Sequence, residues 1–317
     1  MPTPLGKTLL IANPAAQNGN GAAAAERAAV LLGAALDDGA LDVALTEAAG
    51  QAVELAAGAS AGAGAGEDAG RYDTVLALGG DGIIHEVANG LMRLPAGERP
   101  TLGIVPVGSG NDYAATLGMS TRSVDEAVAQ LLAARAHPAD VGRCNGEFFV
   151  ETLSFGVDAA IALDTVERRA RTGKTGTSLY LASGMDQLLH HLDCHRYTAS
   201  FDGGESVSGE SFTFAVQIGP TYGGGFRICP DAKIDDGLLD VCIAHPPLGL
   251  GRAVLVFLLA KDGRHTGFKQ IELRRARTLS LRFDAPPPVQ IDGEPLIADE
   301  YAIDIVPHAL DVLVPLG

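Results

Sequence analysis

The chain is short of positive charge. Its 317 residues hold 23 Lys and Arg against 39 Asp and Glu, a formal charge of −16. A field of that sign repels polyanions, which excludes nucleic-acid binding over a broad surface and confines any contact with an anionic membrane to a local patch. Long apolar runs are missing as well. The densest, Ala253 to Ala260, falls far below the roughly 20 residues of a spanning helix, so a transmembrane chain is not expected. Met1 to Lys7 lack the basic-then-apolar layout of a secretory signal. The four cysteines, Cys144, Cys194, Cys229 and Cys242, show no CxxC spacing, which argues against zinc and against a disulfide framework. No GxSxG nucleophile motif occurs, and no GxGxxG opens a helix after the first strand. Gly173-Lys174-Thr175 is not a P-loop, because Arg168 stands where the motif needs glycine. The expectation is a reduced, cytoplasmic protein. Its 47% hydrophobic residues are ample for a core, and its length suits about two domains.

Strand-like and helix-like segments alternate over the first 138 residues. The apolar run Thr8 to Ala12 reads as a buried strand, and Leu41 to Thr46, the apolar run Thr74 to Leu78 and Leu102 to Val107 read as further strands. Gly21 to Leu36, Ala48 to Ala57 and Ile83 to Leu94 read as helices, and Gly58 to Gly70 as a flexible Ala/Gly loop. Such alternation predicts an α/β domain with a parallel, Rossmann-like sheet, helices on both faces, and a ligand crevice past the strand ends. Asn13, Thr46, Gly79 to Gly82 and Ser109 all fall there. After Pro138 the runs shorten: Glu147 to Leu153, Thr198 to Phe201, Ser211 to Ile218, Gly237 to Ala244, Leu279 to Phe283 and Val289 to Ile291. They predict a second, antiparallel, β-sandwich-like domain over residues 139–306. One helix, near Ser178 to His191, interrupts it. A last strand near Tyr301 to Val306 leads residues 307–317 back toward the first domain, residues 1–138.

Four motifs carry chemistry. Gly79-Gly80-Asp81-Gly82 sits between strand and helix, where glycines let backbone N–H groups approach a phosphate and the helix end adds partial positive charge. Asp81 suits such a loop only if it works through Mg²⁺ or a proton; read plainly, it caps its helix. Gly108-Ser109-Gly110-Asn111-Asp112 repeats the layout, with a Ser109 hydroxyl to meet a phosphate oxygen and Asn111 to orient the loop or to cap the next helix. Asp292-Gly293-Glu294 sets two carboxylates around a turn, where one can raise the other's pKa for base work, or simply closes a hairpin. Asp231 to Asp240 packs four carboxylates into ten residues, oxygen donors of the kind Mg²⁺ or Ca²⁺ takes, without EF-hand spacing. Ten of the 23 cations lie in two runs, Arg168 to Lys174 and Lys261 to Arg277, suggesting a membrane-facing edge or solvated loops.

Together these residues resemble the diacylglycerol kinase and sphingosine kinase group of lipid kinases, especially its bacterial members. The resemblance rests on Asn13-Pro14, Thr46, Leu78 to Leu91, Val105 to Tyr113, Phe155 to Ala159, Cys229 to Val241 and Ile291 to Pro295. It implies an ATP-binding α/β domain, a C-terminal β domain, and an active site in the cleft between them. By position it implies a nucleotide site of Asn13, Pro14, Ala15, Ala16 and Gln17 with Thr46, Gly79, Gly80, Asp81, Gly82, Ile83, Ile84, His85, Glu86, Ser109 and Asn111. It implies Mg²⁺ on the Asp236 side chain and the carbonyls of Lys233 and Leu238. The base maps to Glu294 beside Asp292, or to Asp81 as among sphingosine kinases. The implied reaction moves the γ-phosphoryl group of ATP to a lipid hydroxyl presented at the inner face of a membrane, and members of the group often dimerise. Ile83-Ile84-His85-Glu86 departs from the usual Thr-Leu-Asn-Glu, and Ala15-Ala16 from Ser-Gly. An NAD kinase-like enzyme and a lipid- or nucleotide-binding regulator without turnover stand as alternatives.

Overall fold

The computed structural model describes residues 5–60, 71–174 and 176–316. Most of the Ala/Gly-rich run, Thr175 of the rejected P-loop and residues 1–4 lie outside the described residues. The chain divides into two compact units, Met1–Ala139 with His308–Gly317, and Asp140–Pro307.

In the first unit the expected runs become strands, three of them buried and the edge strand β2 partly exposed. They are β1 (Thr8–Ala12), β2 (Leu41–Leu45), β3 (Thr74–Gly79) and β4 (Thr101–Pro106); between and after them run α1 (Ala16–Gly19), α2 (Gly21–Gly33), α3 (Gln51–Ala57), α4 (Asp81–Met92), α5 (Asp112–Thr116) and α6 (Val124–Leu132). The strand order is β2-β1-β3-β4. All the pairs are parallel, with Leu10 beside Val43 and Leu76, and Leu76 beside Gly103. Parallel strands need helical crossovers, and right-handed crossovers fix which face each helix takes. The chain steps outward from β1 to β2 and then back across β1 to β3. Right-handed connections therefore place α2 on one face and α3 with α4 on the other. The packing agrees: α3 lies against α4, and α2 against α6. The direction of winding reverses between β1 and β3, so their carboxyl ends leave a crevice.

The chain leaves this unit through β5 (Arg135–Cys144) and returns through β16 (Glu300–Val314), whose Val312 lies parallel to Leu102. The unit boundary falls within β16 at Pro307 and His308, where proline supplies no ladder N–H.

The second unit holds two antiparallel sheets. One contains β12 (Ile271–Ala276), β11 (Leu239–Ala244), β10 (Thr213–Gln217), β7 (Thr152–Gly156), β14 (Val289–Ile291) and β15 (Glu294–Pro295), in that order. The other places β16 beside β13 (Thr278–Phe283), then β8 (His195–Phe201) and β9 (Val207–Ser211). The end of β5 pairs with β6 (Glu147–Phe149). Inward-facing residues of both sheets meet in one core. Phe155 lies 4.7 Å from Tyr301 between ring centres, and Phe214 lies 5.2 Å from Tyr197. Large rings crossing the seam bury the most apolar area per residue, and they hold the two layers together.

Among the described residues three α-helices accompany these sheets, where one was expected: α7 (Val157–Thr172), α8 (Thr177–His190) and α9 (Leu250–Ala260). Val157 and Ile161 of α7, Tyr180 of α8 and Val256 of α9 share a second apolar cluster with Phe212 and Phe226. The expected strand Glu147 to Leu153 is two strands, β6 and β7, separated by Val150 and Glu151. No helix of the described residues is long and apolar enough to cross a membrane.

Gly142 of β5 lies opposite Phe149, whose fully buried ring occupies the space a β-carbon would need. Gly142→Ala should therefore overpack this corner and cost about 1–3 kcal/mol, read as a lower urea midpoint.

Candidate active site

At the carboxyl ends of β1, β3 and β4 the chain makes three loops that lock together. Glycine is required where β3 meets α4. A β-carbon on Gly80 would lie 3.1 Å from Gly108 Cα, and one on Gly108 would overlap Gly80. The two turns pack backbone against backbone, with no room for a side chain. Charge-assisted bonding then fixes the pair. The Asn111 N–H donates to Asp81 Oδ2 at 2.9 Å, while the Asn111 side chain accepts from Gly108 N–H at 2.7 Å and donates to Gly108 O at 3.0 Å. Asn111 takes a left-handed conformation (φ 56°) to do this and makes no side-chain cap to α5. Asp81 is the first residue of α4, not its cap; Gly80 holds the cap position, and the carboxylate reaches across to the neighbouring loop.

The first loop joins them. Asn13 N–H donates to Leu78 O (3.0 Å), Asn13 Oδ1 accepts from Ala15 N–H (2.9 Å), and Gln17 Nε2 donates to Gly108 O (3.1 Å). Thr46 N–H, at the end of β2, donates to Ala12 O at 2.9 Å. Pro14, Ala16, Gly82 and Ser109 lie half-buried beside these bonds, with Ala15 exposed. The structure thus gathers every expected nucleotide-loop position at one end of one sheet. Not all can offer side chains. Gly79, Ile83, Ile84 and His85 are buried, and Ile83 and Ile84 keep only 5% and 1% of their surface. The Glu86 carboxylate is taken by the N–H groups of Gly50 (2.9 Å) and Ala52 (3.1 Å) at the start of α3.

In the second unit Asp292 and Glu294 close a two-residue hairpin between β14 and β15, with Ile291 opposite Glu294. Asp292 (φ 47°) and Gly293 (φ 93°) supply the left-handed backbone that such a turn demands. The two carboxylates have separate fates. Asp292 is buried and accepts three main-chain N–H groups, Val150 at 2.9 Å, Glu151 at 3.0 Å and Thr152 at 2.9 Å. Glu294 is exposed. The turn therefore anchors one acid and presents the other.

The acidic run Asp231 to Asp240 is organised by Arg275 of β12. Its guanidinium donates to Asp240 Oδ1 (2.8 Å) and to Asp231 O (2.8 Å), and lies 3.9 Å from Asp236 Oδ2. Asp140 Oδ2 accepts Gly237 N–H at 2.6 Å. A hard ion here draws on the Asp236 carboxylate with carbonyls such as those of Lys233 and Leu238. Asp236 already accepts Leu238 N–H at 3.2 Å, and no group of three or more Asp, Glu, His or Cys among the described residues could hold a metal. Arg275 is the fixed cation of this turn.

One polar cluster carries no signal in local spacing. Asp158, at the start of α7, is buried and accepts hydrogen bonds from Tyr222, from Tyr180 at 3.5 Å, and from Ser154, whose hydroxyl also accepts from Gln290 Nε2 at 2.8 Å. Burial raises the Asp158 carboxyl above the usual carboxylate range, against the lowering pull of Tyr222, Ser154 and Tyr180. The folded protein consequently holds this proton more tightly than the unfolded chain does. The associated stability is fully present below the ordinary carboxyl value of about 4 and is lost as pH rises through the raised folded value. Asp158→Asn keeps a neutral group in the same space. Relative to the wild type, its melting temperature should climb as pH rises above the ordinary carboxyl value of about 4; a pH-independent difference would show that the buried acid is not the source.

Comparison with known proteins follows the same division of the chain. Residues 7–144 match the diacylglycerol kinase catalytic domain. Residues 151–314 match the YegS C-terminal NAD kinase beta sandwich-like domain. A diacylglycerol kinase of Bacillus subtilis is 30% identical over 223 residues, covering 70% of this chain and 71% of its own. A "Probable lipid kinase YegS-like" protein of Yersinia pestis is 32% identical over 252 residues, 76% of this chain and 79% of its own. The crystal structure of a diacylglycerol kinase from Bacillus anthracis superposes with a TM-score of 0.77 at 24% identity, covering 98% of this chain and 97% of that one. An NAD kinase from Archaeoglobus fulgidus superposes at 0.51 with 12% identity, covering 98% and 93%; both superpositions speak for the fold. With catalytic and C-terminal domains both matched, and relatives at 30% identity or more over two thirds of its length, this chain belongs to the diacylglycerol kinase family of lipid kinases.

Proposed function

We propose that the protein transfers the γ-phosphoryl group of ATP, taken up as its Mg²⁺ complex, to the hydroxyl of a lipid of the diacylglycerol or sphingoid class. Family membership supports the reaction type. The observation that carries the donor site is the joined pair of glycine turns at Gly80 and Gly108, which meet through main chain at the end of a parallel sheet. Such a surface suits phosphates, because side chains that would hold them at a distance are absent and the α4 N-terminus favours negative charge. Ser109 stands in the same loop to meet a phosphate oxygen.

The acceptor oxygen attacks the γ-phosphorus, the bond from that phosphorus to the β,γ-bridging oxygen breaks, and ADP leaves. The hydroxyl proton passes to a carboxylate, for which we propose Glu294. Its side chain is exposed, whereas Asp292 is turned into three backbone N–H groups and Asp81 is engaged with the Asn111 N–H. Asp292 then positions the turn, and Asp81 holds the nucleotide loops in register. Positioning and charge neutralisation supply most of the rate in phosphoryl transfer, so loop rigidity is itself a catalytic asset. No step is assigned to a metal at Asp236.

The test is transfer of radiolabelled phosphate from ATP to extracted lipids, diacylglycerols, sphingoid bases and prenols in mixed micelles, with NAD as a separate acceptor. Labelled lipid is the expected product; label on NAD alone would replace the reading with an NAD kinase, and nucleotide binding without turnover with a regulator. Glu294→Gln should lower kcat about 100-fold or more with KM for ATP little changed. Asp81→Asn should instead raise KM for ATP, by about tenfold, as the two turns loosen.

A further inference from the structure

Helix α9 is unusual among the helices of this chain. Of its eleven residues, LGRAVLVFLLA, only Arg252 is charged. Its inner face is accounted for. Ala253, Val256 and Ala260 are buried, and Phe257 packs on Tyr180, Phe226 and Gly184. Its outer face is equally apolar but not covered: Leu250, Leu255 and Leu258 keep 44%, 48% and 49% of their surface. A surface helix normally turns polar residues to solvent, and clustered exposed leucines mark a docking surface.

The surrounding charge says what docks. From Leu250 to Gln270 there are four cations, Arg252, Lys261, Arg264 and Lys269, against one carboxylate, Asp262, in a chain whose overall charge is −16. Lys261 donates to Gly224 O, and its ammonium lies 5.2 Å from the Phe226 ring centre. Arg252, Arg264 and Lys269 are exposed. An isologous contact with a second copy would set these cations against themselves. A sheet of anionic headgroups over hydrocarbon satisfies leucines and cations together. The helix is about 16 Å long at 1.5 Å per residue, so it lies in an interface and does not span it.

We propose that the outer face of α9, with Leu250, Leu255 and Leu258 flanked by Arg252, Arg264 and Lys269, docks this protein on an anionic bilayer surface. The proposal gains its purpose from the lipid kinase reading, but its test needs no ATP. Purified protein is floated with vesicles of phosphatidylcholine containing phosphatidylglycerol, or of phosphatidylcholine alone, and the oligomeric state is measured by sedimentation equilibrium. Binding to the anionic vesicles should be at least about tenfold tighter than to the neutral ones, and should weaken as salt rises. Leu255→Glu with Leu258→Glu should weaken it by about tenfold or more while the circular dichroism spectrum stays that of the wild type. If that variant folds poorly, Leu255→Ala with Leu258→Ala keeps helix propensity and should still lose affinity severalfold. Arg252→Glu with Lys269→Glu should weaken anionic binding by about tenfold. Wild-type protein that ignores anionic vesicles would overturn the proposal, as would variants that bind like the wild type. A wild-type dimer that the leucine variants convert to monomer, with vesicle binding unaltered, would assign the face to a second copy instead. Phosphorylation of a short-chain, monodisperse acceptor should be unaffected in the leucine variants. Its absence from the wild type would count against the kinase reading and leave the flotation result standing.

Discussion

The close approach of Gly80 to Gly108 is the constraint on which the candidate nucleotide site depends. Two neighbouring parallel strands end side by side, and their following turns touch through main chain alone. Any side chain at either position would push the turns apart. With the turns in contact, the Asn111 N–H reaches Asp81, the Asn111 side chain closes its own loop, and Gln17 ties in the loop after β1. The result is a floor of closely packed, cross-bonded backbone. Rigidity matters because phosphoryl transfer asks the protein mainly to position and neutralise, and a floor that need not reorganise loses no binding energy to ordering itself.

The second unit shows how buried and half-buried carboxylates are kept in place. Each has its own solution. Asp292 collects three N–H groups, Asp240 takes the Arg275 guanidinium, and Asp158, its pKa raised by burial, sits among hydroxyls. Burying a charge is costly unless it is paired, bonded or neutralised, and these are the three ways of doing so. Glu294 differs, since its carboxylate faces solvent from a turn whose shape Asp292 fixes. One tripeptide thus combines a bonded, buried acid with an exposed one.

Much of the first unit was legible from residue order. Runs such as TLLIA and TVLALG are too short and too apolar for anything but buried strands, and Gly-Gly-Asp-Gly after one of them marks a strand-to-helix turn. The second unit was less so. Helix α7 was missed although Asp164 and Arg168 stand four apart and form an ion pair, because its inner face holds few large apolar residues. Helix α9 was missed for the opposite reason: a run apolar on every face has no periodicity to read. Within the acidic run, spacing alone does not reveal that Arg275, 35 residues beyond Asp240, meets the Asp240 carboxylate.

Sequence by itself determined the parallel α/β unit, the antiparallel unit after it, and which residues end up at the strand ends, because alternation of apolar runs and glycine turns is a local property of the chain. Tertiary structure alone decided what those residues do there. Asp81 bonds across to Asn111 and does not cap its helix, Glu86 serves α3, Asp158 finds Tyr180 and Tyr222 at separations of 22 and 64 residues, and the leucines of α9 stay uncovered. Hydrogen bonding and burial depend on which segments the fold brings within a few ångströms, and no local pattern encodes that distance.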